Sequence, residues 1–212
     1  LAWAKAATER KLCPRCESEM LEGHACDAPS PAPVLGVDVA RYGSDSTVFV
    51  RRDGPVVSVI AKLRGNSTQE VAGRVRAYCL DHLEQGTVVV DEVGVGAGVV
   101  DRLREEGIGT WVLSPFVGGE TARESSRFVN RVAEAWYAMR ESFRTGRIAI
   151  PPDQRLIAQI VSRRYMVQGD ARVKLESKED LRKKGKPSPD EADALAMTFS
   201  PRPRPAVRFI PA

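Results

Sequence analysis

Residues 34–63, VLGVDVARYGSDSTVFVRRDGPVVSVIAKL, contain three runs of apolar and β-branched residues that are separated by two turns. The first run, residues 34–40, predicts a buried strand with Asp38 near its end. A Tyr-Gly-Ser-Asp-Ser turn at residues 42–46 leads to a second strand at residues 47–52, and Asp-Gly-Pro leads to a third strand at residues 56–63. The stretch therefore predicts three antiparallel strands on one side of a β-sheet.

The rest of the chain alternates helical and extended patterns. Helices are predicted at residues 67–83, 97–106, 130–143 and 154–161, and strands at residues 87–92, 110–116 and 148–150. Residues 164–168 and 172–176 predict a β-hairpin, and residues 188–199 predict a final, capped helix. This order predicts an α/β protein with helices on both faces of a mixed sheet.

Three aspartates lie at the ends or starts of these elements. Asp38 and Asp91 are near the ends of two predicted strands, and Asp193 is on the first turns of the final helix. A lone aspartate in such a place commonly forms a turn or caps a helix. Three of them beside a sheet cost free energy unless a cation neutralises them, and Mg²⁺ and Mn²⁺ prefer oxygen ligands. The pattern therefore favours a divalent metal site.

Other chemistries find few residues in this chain. With His24 and His82 as its only histidines, it offers little to a Ser-His-Asp or Cys-His relay, and it contains no phosphate-binding P-loop motif. The glycine-rich turn at residues 94–98 follows a strand and opens a helix, but its third glycine comes one position too early for a dinucleotide fingerprint. We interpret it as a tight turn beside Asp91.

Three motifs together resemble the nuclease domain of tailed-phage terminase large subunits, which belong to the ribonuclease H-like superfamily. The motifs are GVDVARYGSDSTV at 36–48, VVDEVGVGAGVVDRL at 89–103 and KEDLRKKGKPSPDEADALA at 178–196. The first is shared with resolvases, transposases and sugar-kinase-type ATPases, whereas the combination is more specific. The resemblance covers about residues 34–200 and implies a ribonuclease H-like mixed sheet with helices on both faces, plus a C-terminal β-hairpin and helix.

This resemblance implies that the chain would be a two-metal-ion endonuclease that cleaves double-stranded DNA with little sequence specificity, as in the cutting of concatemers during phage genome packaging. Asp38, Asp91 and Asp193 would hold two Mg²⁺ or Mn²⁺ ions about 3.5–4 Å apart, with Asp38 between them. Asp190 lies three residues before Asp193 and would be an auxiliary ligand. Glu92 faces away from Asp91 on its strand and is a weaker candidate.

The implied partners are double-stranded DNA, the terminase ATPase domain, the portal and the small terminase. We expect the ATPase domain to be missing from this chain, which starts at Leu1 rather than methionine and is expected to be cut from a longer protein. One alternative is a Holliday-junction resolvase or transposase-like nuclease, and another is a catalytically inactive DNA-binding module. An actin-like sugar kinase would need a second acid-bearing phosphate loop and a longer chain.

Length and composition limit the domain organisation. At 212 residues and 42% hydrophobic content, the chain can form one good core. We expect a short Cys-containing segment at residues 1–33, the nuclease domain at residues 34–200, and a disordered basic, proline-rich tail at residues 201–212. The sequence has no 18-residue apolar stretch and no signal peptide, which predicts a cytoplasmic protein, in the host cell if phage-encoded, with no membrane partner.

The charge is concentrated near the C-terminus. The net charge is only +4, but basic residues outnumber acidic ones between residues 163 and 186. Such a stretch suits phosphate-backbone binding without base recognition, although charged runs are also commonly plain solvated surface. Tyr165 is its one aromatic residue, so base stacking is not favoured. The predicted DNA-binding residues are Arg163, Arg164, Lys174 and Lys178.

A second candidate site lies near the N-terminus. Cys13-Pro-Arg-Cys16 is followed closely by His24 and Cys26, which together offer four ligands for one structural zinc ion. The segment is too small and polar for a core of its own, so the metal would supply its folding energy. The alternative is a disordered linker without metal; a redox Cys-x-x-Cys site is less favoured because no thioredoxin-like strand precedes it.

Overall fold

The computed structural model describes residues 1–22, 24–40 and 45–200. Most of the turn predicted at residues 42–46 and all of the tail predicted at residues 201–212 lie outside these ranges. Five strands form the central sheet: β1 (Val34–Asp38), β2 (Thr47–Asp53), β3 (Val56–Leu63), β4 (Thr87–Asp91) and β5 (Val112–Phe116). Their spatial order is β3-β2-β1-β4-β5.

The sheet is mixed, and its two halves have different strand directions. β2 pairs antiparallel with both β1 and β3, as the short turns between them predict. β1, β4 and β5 are parallel, with Val37 opposite Val90 in the register of the central pair. Because neighbouring parallel strands end at the same edge of a sheet, Asp38 and Asp91 lie side by side there.

Seven helices and a hairpin complete the described part of the chain. They are α1 (Ala2–Glu9), α2 (Thr68–Asp81), α3 (Val95–Glu106), α4 (Arg131–Arg144), α5 (Gln154–Ile160), the hairpin strands β6 (Tyr165–Val167) and β7 (Val173–Leu175), α6 (Lys178–Lys183) and α7 (Asp190–Met197). None of the helices in the described ranges is long and apolar enough to cross a membrane.

The helices cover both faces of the sheet, because side chains alternate along each strand. On one face, Leu35 and Phe49 pack with α2 and α3. On the other face, Val48 and Val50 pack with α4, α5 and α7, where Trp136 is among the largest buried side chains. Burying each such side chain stabilises the fold by about 1.5–3 kcal/mol. The α/β class with helices on both faces of a mixed sheet is therefore confirmed.

Local details agree with the sequence analysis in some places and differ in others. The helix predicted from residue 67 begins with Ser67 as its N-cap: the Ser67 Oγ accepts a hydrogen bond from the Glu70 N–H at 3.2 Å, while the Ser67 N–H donates to the Glu70 carboxylate at 2.7 Å. By contrast, the strand predicted at residues 148–150 is reduced to one bridge, between Ala149 and Val56. The final helix has Pro189 as its N-cap and no side-chain cap.

Helices α1 and α6 were not predicted. α1 lies within the segment expected at residues 1–33, and its Ala4 and Ala7 are buried against α4 in the main core. α6 begins after Ser177, whose hydroxyl accepts a hydrogen bond from the Asp180 N–H at 3.0 Å. The division into segment, domain and tail stays a prediction.

Candidate active site

The glycine-rich turn after β4 positions the start of α3 against Asp91. Gly94 has φ +66°, a conformation that L side chains rarely adopt. At Gly96, an added Cβ would lie 1.6 Å from the carbonyl oxygen of Asp91, so only glycine fits there. The predicted role of this turn, a tight bend beside Asp91, is confirmed.

A third glycine brings Asp193 to the same edge. α7 crosses β1 at Gly36, where an added Cβ would lie only 2.0 Å from the backbone oxygen of Ala194. The missing side chain therefore lets the helix pack directly on the strand backbone. As a result, Asp193 on the first turn of α7 lies close to Asp38 at the end of β1, and both side chains are buried.

Lys178 joins the two buried carboxylates. Its Nζ lies 2.9 Å from Asp193 Oδ2 and 3.6 Å from Asp38 Oδ2, and its side chain is 36% exposed. The second oxygen of Asp193 is held from the other side by Arg163 Nη1 at 2.9 Å and by the Trp136 indole N–H at 2.8 Å. These contacts fix the orientation of the Asp193 carboxylate before any ligand binds.

The site is electrostatically short of positive charge. Burial raises the pKa of Asp38 to about 8 against the opposing effect of Lys178, and Asp193 and Asp91 raise it further. Burial also raises the pKa of Asp91, although its carboxylate accepts a hydrogen bond from the Val93 N–H at 3.1 Å. Burial lowers the pKa of Lys178, but Asp38 and Asp193 outweigh that effect and keep it above its ordinary range.

The same residues open onto one cavity of about 330 Å³. Asp38, Asp91 and Asp193 line it together with Lys174 and Lys178, and its remaining wall is largely apolar. Carboxylate oxygens that exceed the available positive charge suit a hard divalent cation such as Mg²⁺ or Mn²⁺. The structure thus brings together the three aspartates that the sequence analysis singled out.

Two further acidic residues that the sequence analysis considered, Asp190 and Glu92, do not line the cavity. Asp190 is buried, and its Oδ2 accepts a hydrogen bond from the Ser46 N–H at 2.9 Å. This contact favours a structural role over the auxiliary ligand role predicted for it. The Glu92 Oε1 lies 3.4 Å from Nη2 of Arg104, a residue of α3. This ion pair agrees with the weaker case for Glu92 as a metal ligand.

The four predicted DNA-binding residues separate into different environments. Lys174 and Lys178 line the cavity, whereas Arg164 is exposed outside it. Arg163 is buried, and its guanidinium donates to Asp193 and, at 3.0 and 2.6 Å, to the backbone oxygen of Glu176. Arg163 also lines the cavity, but its Nε, Nη1 and Nη2 already donate within the protein, which favours a supporting role; the DNA-binding role expected for it stays a prediction.

The sequence analysis missed the residues that orient Asp193. Trp136 was covered only by the helix predicted at residues 130–143, and Arg163 was predicted only as a DNA-binding residue. The one available signal was the tryptophan itself, since a buried indole N–H normally needs an acceptor. Here that acceptor is a carboxylate from the far end of the chain.

The N-terminal cysteines and histidine form a separate cluster. The ligand atoms of Cys13, Cys16, His24 and Cys26 all lie within 4.8 Å of one another. The backbone N–H groups of Cys16 and Arg15 lower the pKa of Cys13 to about 7, which favours the thiolate. The residues predicted as zinc ligands are therefore brought together.

The sequence matches no protein-family model and no curated protein. Solved structures do match. The nuclease domain of the large terminase subunit of bacterial virus Sf6, in a mutant form with manganese and beta-thujaplicinol, is 20% identical with a TM-score of 0.77 over 95% of this chain and 97% of that one. The large terminase nuclease from thermophilic phage G20c, with bound magnesium, is 18% identical with a TM-score of 0.58 over 79% and 80%.

A third similar structure is the large terminase nuclease domain of Thermus phage P74-26, 16% identical with a TM-score of 0.57 over 93% of both chains. At these identities the similarity establishes the fold. The ribonuclease H-like fold that the three sequence motifs imply is therefore confirmed, and the similarity to the Sf6 domain covers 95% of the chain.

Proposed function

We propose that this chain is the nuclease domain of a phage terminase large subunit, a metal-dependent endonuclease that cleaves double-stranded DNA with little sequence specificity. The observation that carries the proposal is that Asp38, Asp91 and Asp193 line one cavity at the edge of a sheet with the terminase nuclease fold. Similar domains were solved with manganese, magnesium and cobalt, which supports divalent metal chemistry.

The three aspartates would hold two Mg²⁺ or Mn²⁺ ions, with Asp38 between them. Ions held by these residues would supply the chemistry needed to activate a water nucleophile and to stabilise the leaving 3′-oxygen. Arg163 and Trp136 keep the Asp193 carboxylate in a single orientation, so that less freedom is lost when a ligand binds. Lys178 holds positive charge beside Asp38 and Asp193, at a place where a scissile phosphate would also need it.

The substrate is proposed from the charge around the cavity. Lys174 and Lys178 line it and suit contacts to a phosphate backbone, which carry no sequence information. The proposed partners are double-stranded DNA, the terminase ATPase domain, the small terminase and the portal, in the cytoplasm of an infected host cell.

Cleavage of supercoiled plasmid tests the proposal. The protein should cleave in Mn²⁺ or Mg²⁺ and stop in EDTA, and Asp38→Asn should lower the rate by about 10³-fold or more, because the ions would lose their shared ligand. Asp101→Asn is the matched control, since Asp101 is an exposed carboxylate on α3, with 68% of its side chain accessible. Asp38→Asn should bind DNA as well as the parent or more tightly, because an anion near a polyanion has been removed.

A panel of substrates separates the alternatives. A strong preference for four-way junctions over linear duplex would indicate a resolvase instead. Salt-sensitive binding by the parent protein, without cleavage in either metal, would indicate an inactive DNA-binding module. Cleavage by Asp38→Asn at the parent rate would contradict the assignment of the metal ligands.

A further inference from the structure

The Cys/His cluster has the ligand geometry of a tetrahedral metal site. Zinc bonds to sulfur at about 2.3 Å, so tetrahedral ligand atoms lie roughly 3.5–3.8 Å apart. In the protein, Cys16 Sγ lies 3.5 Å from His24 Nε2, and all four ligand atoms lie within 4.8 Å of one another. A small inward movement of the side chains is enough to close the shell.

The backbone around the first cysteine pair is already folded into a tight turn. The Glu17 N–H donates to the Cys13 carbonyl at 3.0 Å, and the Cys13 N–H donates to Ser18 O at 2.8 Å. Glu17 has φ +60°, a left-handed conformation that closes the turn. Arg15 then connects this turn to the second pair of ligands, His24 and Cys26, because its Nη1 donates to the Cys26 carbonyl at 3.2 Å.

Side-chain packing alone does not account for this ordered segment. Among the described residues between 10 and 32, only Leu12 and Cys13 are buried. A segment with so little apolar burial needs another source of free energy to stay folded, and a bound metal supplies it in small domains.

We propose that Cys13, Cys16, His24 and Cys26 bind one structural zinc ion, which acts as a clasp holding α1 and the following segment on the nuclease domain. Three thiolates and an imidazole are the soft and borderline donors that select zinc over Mg²⁺ or Mn²⁺. Four protein ligands close the tetrahedral shell and leave no position for substrate, so the site is structural. The inference is independent of the proposed nuclease function.

The clasp is attached to the domain on the β2–β3 turn and through α1. At Gly54, in that turn, an added Cβ would lie 2.5 Å from the backbone oxygen of Pro14, the residue after the first ligand. On the other side, the Ile150 N–H donates to Ala7 O at 3.1 Å, and Ala7 is fully buried in the core. One anchor, Ala7, thus precedes the cluster, and the other, Pro14, lies within it between the first two ligands, so a bound zinc would connect the rest of the segment to these fixed points.

Metal content tests the site directly. The full chain, purified under reducing conditions, should contain about one zinc per molecule, and Co²⁺ exchanged for zinc should show thiolate charge-transfer and tetrahedral ligand-field bands. The charge-transfer band requires thiolate ligands, so it excludes binding to the aspartates. Cys16→Ser should lower zinc to below about 0.2 per molecule, and because Cys16 is exposed the substitution leaves no core cavity.

Cys79→Ala is the matched control, because Cys79 is a free cysteine in the α2–α3 core, away from the cluster. It should keep its full zinc content. A reduced parent protein that neither contains zinc nor binds Co²⁺ overturns the proposal, as does a Cys16→Ser variant with the parent zinc content.

Limited trypsin digestion tests the clasp. Treating the parent protein with the zinc chelator TPEN in excess Mg²⁺ should speed cleavage after Arg15 at least about tenfold, because local unfolding then exposes the backbone. Added Zn²⁺ should restore protection in the parent and in Cys79→Ala, but not in Cys16→Ser. Equal digestion with and without TPEN overturns the clasp even where zinc is bound. DNA cleavage is not a readout, so failure of the nuclease proposal leaves these tests unaffected.

Discussion

The carboxylate site and the Cys/His cluster are assembled in opposite ways. The carboxylates come from residues 38, 91 and 193, which the central sheet and α7 bring together across most of the chain. The cluster comes from residues 13–26, a stretch with almost no buried side chains. The first site therefore depends on a fold that is stable without it, whereas the local fold of the second depends on its ligand.

The two sites also differ in the atoms that they offer to a metal ion. Oxygen donors in the sheet-edge cavity suit a hard ion that keeps water and substrate oxygens in its shell, so this site stays open. Sulfur and imidazole donors suit an ion with a closed protein shell. One chain can thus hold two kinds of metal without either occupying the other's place.

Asp193→Asn has the largest expected effect, and it tests whether the carboxylate site and the Cys/His cluster are independent. We expect the rate of plasmid cleavage to fall about 10³-fold, because a proposed metal ligand is lost. The zinc content should stay at the parent value, since none of the four cluster residues lines the cavity that Asp193 lines. Parallel measurements of cleavage rate and zinc content check this, and loss of zinc in Asp193→Asn would contradict the independence of the sites.

Gly36→Ala tests whether the fold makes the carboxylate site. Its Cβ would lie 2.0 Å from Ala194 O, so α7 must move away from β1, at a cost of about 3 kcal/mol of unfolding free energy. In a protein of this size that lowers the melting temperature by roughly 6–12 °C.

Gly73→Ala is the control for this variant. Gly73 lies within α2 with no atom within 4 Å of an added Cβ, so alanine should stabilise the helix by about 0.5–1 kcal/mol. Thermal unfolding followed by circular dichroism measures both variants. Equal melting temperatures for Gly36→Ala and the parent would show that the close approach of α7 is not needed.

Arg163→Met tests the support of the carboxylate site. Removing the guanidinium frees one side of the Asp193 carboxylate, and we expect cleavage to slow by about 10- to 100-fold. DNA affinity and its salt dependence should not change, because Arg163 is buried and bonded within the protein. Arg164→Met, at the exposed neighbouring position, is the control. A reduced salt slope in Arg163→Met would support the phosphate-binding role predicted for it.

Lys174→Ala should have the smallest effect. Loss of one phosphate contact lowers the slope of log affinity against log salt by about 0.9, and this loss should be the same for unrelated DNA sequences. Lys183→Ala serves as the control, since Lys183 is 69% exposed and paired with Glu179 on α6. Titrations at several salt concentrations give the slopes. An unchanged slope in Lys174→Ala would place the DNA groove elsewhere.

The order of elements and the positions of Asp38 and Asp91 could be predicted because each depends on short-range patterns. Apolar runs and turns determine the strands, and parallel neighbours end at the same edge. The approach of Asp193 depends on Gly36, whose role is visible only when α7 lies across β1. The sequence shows that a glycine lies in a predicted strand, but it does not show which helix packs against that glycine.

Other features depend on long-range packing and were not predicted. The interior role of Arg163 follows from the Glu176 carbonyl and Asp193 carboxylate around it, which lie 13 and 30 residues away in the chain. α1 has only eight residues, too few for helical periodicity to be distinctive, and its burial comes from α4. The strand predicted at residues 148–150 has one bridge partner, and the two prolines that follow it, Pro151 and Pro152, have no backbone N–H with which to continue the pairing.

The Lys178 ammonium determines what a metal ion would meet on reaching the buried carboxylates. It lies 2.9 Å from Asp193 and 3.6 Å from Asp38, so the buried carboxylates have a tethered counter-ion from the moment α7 docks. A divalent ion that binds here as proposed would therefore have to compete with this ammonium for the carboxylate oxygens.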